Sequence, residues 1–146
     1  MADPLTDSEQ LAWRTFIESS WALHTHLEEE LRAQTGLSMN DYHVMVVLSE
    51  APDRRLRMGE LASRLVFSPS RITYQISSMI KRGFVRKQPC PEDGRGQEAV
   101  LTDEGMAALE AAAPLHLITV RDSFIDHLDP DELAVVHRVF ARIRKA

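Results

Sequence analysis

A run of short polar and basic side chains between residues 68 and 82 has the chemistry needed to contact nucleic acid. The residue order predicts a helix that Ser68 caps and that Pro69 begins, since a backbone N–H has no partner at that position. One predicted face is apolar and consists of Ile72, Ile76, Met79 and Ile80. The opposite face and its flanks carry hydroxyl, amide and cationic groups, at Ser70, Arg71, Thr73, Tyr74, Gln75, Ser78 and Lys81. Such groups can bond both base edges and phosphate oxygens.

A shorter helix and a hairpin are predicted on either side of this helix. Residues 58–65 have a helical pattern, and the chain then turns over residues 66–68. After Gly83 come a strand over residues 84–88, a loop rich in Gly and Pro, and a second strand ending near Leu101. Two helices followed by a hairpin predict a winged helix-turn-helix.

The N-terminal third predicts two helices and a linker. Residues 8–34 form a helix that Gly36 ends, and a second helix runs from Ser38, with Asp41 in a capping-box arrangement, to about residue 50. The linker that follows contains a short predicted strand near Leu56, which would extend the sheet of the hairpin. The apolar stripe of the first helix consists of Trp13, Phe16, Ile17, Trp21, His24, Leu27 and Leu31.

The C-terminal part predicts two further amphipathic helices. Thr102 is placed to cap the first, Pro114 is expected to kink it, and Asp129 with Glu132 begins the second. Their stripes consist of Met106, Leu109, Ala113, Leu117, Val120, Phe124 and Leu128, and of Leu133, Val136, Phe140 and Ile143, the last four as a buried seam. This is more apolar surface than a small winged helix can cover. We therefore expect the terminal helices to meet each other and a second subunit; the alternative is packing on their own domain.

Five short motifs, in order, resemble those of the MarR family of bacterial transcriptional regulators. The ordered set is more specific than any single motif, and with the flanking helices the resemblance covers nearly the whole chain. The motifs are Glu60-Leu-Ala, Ser68-Pro-Ser, Arg82-Gly-Phe-Val85, Asp93-Gly-Arg95 and Leu101-Thr-Asp-Glu-Gly105. Two positions depart from the pattern: the β-branched Val66 occupies the turn, where a small or flexible residue is common, and Arg57 stands where a Ser or Thr cap is expected.

The resemblance implies a fold and an assembly. The fold is mainly α with a small β-hairpin wing, in a single domain over residues 1–146. Residues 38–101 form the winged helix-turn-helix, and the helices over residues 8–34 and 102–146 interlock into a homodimer. The implied function is sequence-specific binding of an inverted-repeat operator, usually as a repressor.

The charge distribution agrees with a nucleic-acid partner although the whole chain has a formal net charge of −5. Residues 54–97, called here the basic segment, hold ten basic and three acidic side chains, an excess of seven positive charges. The remainder holds seven basic and nineteen acidic side chains, an excess of twelve negative charges. A positive segment inside an acidic protein is the electrostatic pattern of phosphate binding.

Specific DNA contacts can be assigned to this segment. Arg71 and Gln75 are predicted to read base edges, because their forked groups bond guanine and adenine respectively. Arg95, at the wing tip, is carried over from the family's Asp-x-Arg pattern as a minor-groove contact. Lys81 is predicted to contact a phosphate. Mixed phosphate and base contacts are predicted for Ser68, Ser70, Thr73 and Tyr74. The competing hypothesis is a winged-helix protein-interaction module that does not bind DNA, which would have no need of so basic a segment.

An effector site is implied by the family alone. Its members often bind small aromatic or phenolic compounds between the dimer helices and the DNA-binding part. Side chains that could line such a site are Trp13, Trp21, His24, Tyr42, His43 and Met45. The same residues suit an ordinary core under two helices, and both interpretations stay open.

Composition indicates a soluble, cytoplasmic, single-domain protein. The chain has 146 residues, of which 44% are hydrophobic, with no apolar run long enough for a membrane span and no signal-peptide pattern. We find no nucleotide-binding, nucleophile or HExxH motif and no metal-ligand spacing among the histidines, so we expect neither an enzyme nor a cofactor or metal site. The single cysteine, Cys90, is predicted to be an exposed surface thiol at the start of the wing; the alternative is a redox sensor, whose thiolate the nearby cations would favour.

Overall fold

The computed structural model describes residues 3–92 and 94–145, so the Asp93 of the wing motif lies outside the described residues. The fold is mainly helical with one small sheet, which confirms the predicted class. Short 3-10 helices cover Pro52–Arg54 and Ile125–His127. The main elements are α1 (Asp7–Thr35), α2 (Met39–Glu50), β1 (Arg55–Arg57), α3 (Met58–Leu65), α4 (Pro69–Lys81), β2 (Val85–Pro89), β3 (Gln97–Leu101), α5 (Asp103–Ser123) and α6 (Pro130–Lys145).

The chain divides into two compact units. One is Leu31–Leu115, which holds the helix-turn-helix and the sheet, and the other combines Met1–Glu30 with His116–Ala146. Both α1 and α5 contribute residues to each unit.

The sheet is antiparallel, with β3 in the centre and the order β1-β3-β2. Ala99 lies opposite Leu56 on β1 and opposite Lys87 on β2, which confirms the short strand predicted near Leu56. Thr102 joins the sheet to α5: its Oγ1 donates to the Gly83 carbonyl at 2.6 Å and accepts the Gly105 N–H at 3.0 Å. The predicted cap at Thr102 is therefore confirmed.

Local capping explains where most helices begin. Ser38 Oγ accepts the Asp41 N–H and the Asp41 carboxylate accepts the Ser38 N–H, both at 2.9 Å, which completes the predicted capping box. At the start of α6, the Asp129 carboxylate accepts the Glu132 N–H at 2.8 Å and the Glu132 carboxylate accepts the Asp129 N–H at 2.9 Å. These reciprocal pairs satisfy backbone donors that have no partner inside the helix.

The core of the Leu31–Leu115 unit lies where α2 and α3 pack against each other and against β3, and where α4 packs against α2, α3 and β2. From α4, Ile72, Ile76 and Met79 are buried, as the spacing predicts. Ile80 was predicted on the same face but keeps 38% of its surface exposed; at 100° per residue it lies about 80° around the helix from Ile72, at the edge of the stripe. The largest fully buried side chains are Val44, Met45, Leu48, Leu61, Ile76, Met79 and Val85.

The second unit leaves much of its apolar surface uncovered. The stripe predicted to reach Leu128 in one helix is shorter, since α5 ends at Ser123; Pro114 lies inside α5 without breaking it. The buried seam predicted along α6 is wrong for a single chain: every described residue of α6 is exposed or half-buried. Large apolar side chains exposed in this unit are Leu5, Leu11, Trp13, Phe16, Trp21, Leu117, Ile118, Val135, Phe140 and Ile143.

Candidate nucleic-acid interface

The outward face of α4 is polar and accessible along its length. Tyr74 exposes 79% of its surface at the middle of the helix, and Ser70, Arg71, Thr73 and Lys81 are also exposed. Because the opposite face is anchored in the core, these side chains are held on a fixed helical surface. Such a surface can enter a major groove.

Hydroxyl groups cluster at the N-terminus of α4. Ser68 Oγ accepts the Arg71 N–H at 3.2 Å and lies 3.2 Å from Ser70 Oγ, which confirms the predicted cap. Thr73 Oγ1 donates to the Pro69 carbonyl at 2.9 Å. The positive end of the helix dipole and nearby hydroxyl donors favour an anion here, which suits a phosphate.

Arg71 stacks on an aromatic ring. Its guanidinium carbon lies 3.9 Å from the centre of the Phe67 ring, one helical turn earlier in the chain. Phe67 is half-buried and precedes the capping Ser68. The guanidinium is therefore held in one place by a cation–π contact as well as by its own backbone.

Gln75 bonds the protein's interior. Its Nε2 donates to Asp41 Oδ1 at 2.6 Å. Arg82, just after α4, donates through Nη1 to Asp41 Oδ2 at 2.8 Å and through Nη2 to Asp41 Oδ1 at 2.7 Å. The predicted role of Gln75 in reading adenine stays a prediction, and in this structure its amide also helps to hold α4 against α2.

The Asp41 carboxylate is charged and buried, with 3% of the residue exposed. Burial by itself would raise the pKa of Asp41, but hydrogen bonds from Arg82 and the Ser38 backbone, together with the Arg82 charge, outweigh it and lower that pKa. The same hydrogen bond raises the pKa of Arg82. Both groups therefore keep their charges at neutral pH.

The turn between α3 and α4 contains a strained residue. Val66 has φ 56° and ψ 43°, the left-handed region that β-branched side chains resist. Its N–H donates to the Ser63 carbonyl at 3.2 Å, and the Phe67 N–H donates to the Ala62 carbonyl at 2.8 Å. Arg57, the other departure from the family pattern, provides no side-chain cap for α3.

The wing begins with a buried cysteine. Cys90 is 2% exposed, so the prediction of an exposed thiol is wrong. The wing loop folds back over it: the Cys90 N–H donates to the Gly96 carbonyl at 2.9 Å, and the Gly94 N–H donates to the Cys90 carbonyl at 3.0 Å. Arg95, the predicted minor-groove contact, is exposed on this loop.

At least five of the ten cations of the basic segment form ion pairs with carboxylates that the structure describes. The pairs join Arg54 to Asp103, Arg55 to Asp53 and Glu98, Arg57 to Glu92, Arg64 to Glu60, and Arg82 to Asp41. The exposed cations of α4 and the wing include Arg71, Lys81, Arg86, Lys87 and Arg95. The positive charge presented to a ligand is thus concentrated on α4 and the wing, where the sequence predicts DNA contacts.

The six residues of the predicted effector site have different surroundings. Met45 is fully buried in the core of its unit, whereas Trp13 and Trp21 expose 53% and 66% of their surfaces. Trp13 lies 6.1 Å from the Phe16 ring, centre to centre. Tyr42 is half-buried, with its pKa raised by burial, and His24 and His43 are exposed. Effector binding by this set stays a prediction.

The sequence analysis missed the contacts of three residues of the interface. Asp41 was predicted only as part of a helix cap, Arg82 only as a positive charge and as the first residue of a family motif, and Phe67 only as a turn residue. The Asp41–Arg82 pair joins residues 41 positions apart, so it depends on tertiary packing. The i, i+4 spacing of Phe67 and Arg71 is a signal that would have indicated their contact.

The described residues, 3–92 and 94–145, contain no helix long and apolar enough to cross a membrane. In the same ranges, no three His, Cys, Asp or Glu side chains are grouped as metal ligands.

Comparisons with known proteins agree with this architecture. The sequence profile of the MarR family matches residues 35–96. The HTH-type transcriptional repressor YetL of Bacillus subtilis is 31% identical over 107 residues, which cover 73% of this chain and 64% of the repressor, somewhat less than two thirds of its length.

Two solved structures from Streptomyces coelicolor match nearly the whole fold. The MarR family regulator AbsC is 40% identical, with a TM-score of 0.94 over 99% of this chain and 97% of AbsC. The MarR family regulator Sco3205, solved in complex with DNA, is 38% identical, with a TM-score of 0.94 over 97% of this chain and 89% of Sco3205. With identity at this level over almost the full length of both chains, this protein belongs to the MarR family of transcriptional regulators.

Proposed function

We propose that this protein is a transcriptional repressor that binds an inverted-repeat DNA operator as a homodimer. The observation that carries the proposal is the two-sided character of α4. One side is fixed in the core by Ile72, Ile76 and Met79, and the other presents exposed polar and basic side chains. The DNA complex of Sco3205, at 38% identity, supports DNA as the ligand.

In the proposed complex, α4 enters the major groove. Arg71 reads a guanine edge, and the hydroxyls of Ser68, Ser70 and Thr73 bond phosphates and bases beside it. Lys81, near the other end of α4, contacts the backbone, and Arg95 reaches a minor groove from the wing. The uneven distribution of charge supports this orientation, because the acidic remainder of the chain is repelled by DNA.

The homodimer is proposed from the uncovered apolar surface of the unit that combines the two chain ends. Trp21, Leu117, Ile118 and Ile143 each expose more than half of their surfaces. Phe16 of α1 and Phe140 of α6 pack with their rings 5.2 Å apart, and Phe140 still exposes 39% of its surface. A second copy of the chain would cover such a surface.

The competing hypothesis of a protein-interaction module has less support. It leaves the five exposed cations of α4 and the wing without a purpose, and it offers no reason for a stacked arginine on the outward face. Enrichment of DNA by the purified chain separates the two hypotheses.

The test uses selection from random DNA followed by footprinting. The selected site should be an inverted repeat with half-site centres about one helical turn, roughly 10–10.5 bp, apart, because a two-fold dimer presents two α4 helices related by rotation. Sedimentation at low micromolar concentration should give about twice the chain mass of 16.5 kDa. Failure to enrich any common sequence would contradict the regulator, and a clean monomer would contradict the dimer.

A further inference from the structure

The pair formed by Phe67 and Arg71 raises a question that the DNA contacts alone do not answer. Arg71 occupies the third position of α4, counted from the capping Ser68. Helices favour carboxylates at that position, because the N-terminal end of the helix dipole is positive and a Glu there can complete a capping box. A cation at this point works against the dipole, so its presence indicates a requirement other than helix stability.

The Phe67 ring offsets that unfavourable position. Its face carries partial negative charge, and the Arg71 guanidinium carbon lies 3.9 Å from the ring centre. A guanidinium stacked on a ring directs its N–H groups sideways, within its own plane, so the contact restrains the group without consuming its donors. The flexible side chain is thereby held close to one orientation before any ligand arrives.

Phe67 is itself held in place by a backbone hydrogen bond. Its backbone N–H donates to the Ala62 carbonyl at 2.8 Å. Its side chain lines a groove of about 340 Å³ together with Met58, Ala62 and Ile72. Phe67 directly precedes the capping Ser68, and Ile72 is the fourth residue of α4. Packing between hydrophobic residues at these two positions fixes the direction in which a chain enters a helix. The backbone of Phe67 is therefore fixed, and its half-buried ring lies beside an apolar groove.

We propose that Phe67 is a specificity-determining positioning residue, whose ring orients the Arg71 guanidinium for bidentate recognition of a guanine edge. The inference rests on the proposed function, since it concerns how this protein distinguishes operators. Orienting the group in advance lowers the entropy lost on binding, which strengthens the contact with the correct base alone.

The chain offers a matched control. Phe84 lies under another arginine, Arg82, at 5.6 Å from guanidinium carbon to ring centre, and is half-buried like Phe67. Arg82 bonds Asp41 and lies just after the end of α4. Phe84→Leu therefore removes the half-buried ring that lies under Arg82 and leaves the contact between Phe67 and Arg71 unchanged.

The experiment measures binding of the full-length protein to its selected operator and to all three base substitutions at the position that Arg71→Ala relaxes. Phe67→Leu should reduce discrimination at that base by about 2- to 5-fold per half-site, the range expected for an exposed cation–π contact. Discrimination at other positions should not change, and Phe67→Tyr should restore the preference. In an Arg71→Ala background, Phe67→Leu should add no further loss of discrimination.

Any of the following results overturns the inference. Phe67→Leu could weaken all sequences equally, as a general loss of folding does; Phe84→Leu could relax the same base; or the effects of Phe67→Leu and Arg71→Ala could add in full. If Phe67→Leu fails to fold by circular dichroism, Phe67→Met, which is similar in size but has no ring, replaces it with the same expectation. If the wild-type chain selects no operator, the proposed function fails as well; if it selects one and Phe67 variants keep full discrimination, only the inference fails.

Discussion

Arg82 donates two hydrogen bonds to the two carboxylate oxygens of Asp41, at 2.8 and 2.7 Å, and so ties the end of α4 to the first turn of α2. Asp41 also caps α2 through the Ser38 N–H and accepts the Gln75 amide. One buried carboxylate thus fixes both the start of one helix and the position of another. The orientation of the outward face of α4 depends on it.

Replacing Asp41 by Asn should destabilise the protein by about 1–3 kcal/mol, because the change removes the charge of a buried carboxylate, whose partner Arg82 keeps 36% of its side chain exposed, and part of a cap. Urea denaturation measures the loss. Glu60→Gln is the matched control: it breaks the Arg64–Glu60 pair at 2.8 Å, in which both side chains are about half exposed, and should cost no more than about 0.5 kcal/mol. Equal effects of the two substitutions would contradict the importance of the buried pair.

The lowered pKa of Asp41 predicts sensitivity to acid. The unfolded carboxyl titrates near its ordinary value of 3.8, and the folded one at a lower pH. The stabilising contribution is therefore complete above about pH 4 and is lost as the pH falls toward the folded pKa. The stability of the wild type, measured by urea denaturation from pH 5 to pH 3, should decrease more steeply than that of Asp41→Asn. Parallel curves would show that this carboxylate is not responsible.

Substitution of Val66 should stabilise the turn. A residue with a Cβ costs on the order of 1 kcal/mol in the left-handed region, and asparagine tolerates that region better than valine. Since Val66 exposes 73% of its surface, little packing is lost, and Val66→Asn should raise the free energy of unfolding by about 0.5–1 kcal/mol. Gly36 tests the opposite change, the addition of a Cβ at a left-handed position. It has φ +76° and no described atom within 4 Å of an added Cβ, so Gly36→Ala should lower the free energy of unfolding by a similar amount. A lower melting temperature for Val66→Asn would contradict the strain.

Arg71 and Lys81 should separate base recognition from phosphate binding. Arg71→Ala should cost about 1–3 kcal/mol on the operator and relax the preference at one base position. Lys81→Ala should weaken binding to all sequences about equally, because a phosphate contact carries no sequence information. Competition between operator and substituted sites measures both. Should Arg71→Ala leave the preference unchanged, Arg71 would be a phosphate contact instead.

The ion pairs of the basic segment set the expected salt dependence. At least five cations of the basic segment are paired with carboxylates. Among the exposed cations of α4 and the wing, Arg71 is assigned to a base and Arg95 to a minor groove, which leaves Lys81, Arg86 and Lys87 for phosphates. A dimer then neutralises about six phosphates, and the slope of log K against log salt should be about −5. Lys81→Ala, present twice in the dimer, should make the slope shallower by roughly 2. A wild-type slope shallower than about −3 would leave docking through both α4 helices without support.

Residue order along the chain was enough to predict the elements and several of their ends. Ser68 with Pro69, Ser38 with Asp41, and Asp129 with Glu132 each act over a few residues, so local chemistry determines them. The burial of α4 residues followed from helical spacing for Ile72, Ile76 and Met79. These features require no knowledge of what packs against them.

Features that depend on distant partners could not be predicted in this way. Ile80 has helical spacing but lies at the edge of the apolar stripe, where burial depends on what packs beside it. Cys90 lies between two prolines in a polar loop, and it is buried because Gly96 returns over it. The uncovered seam of α6 likewise depends on a surface outside one chain, which no periodicity within α6 can reveal.

The two-sided character of α4 also affects how new operator preferences could be engineered. Ser70 and Tyr74 face outward and contribute little to the core, so substitution there should redirect recognition with little effect on folding. Gln75 differs, because its amide bonds the buried Asp41 at 2.6 Å. A library that varies residue 75 would therefore select for foldability as well as for DNA sequence, whereas one confined to residues 70 and 74 would explore specificity alone.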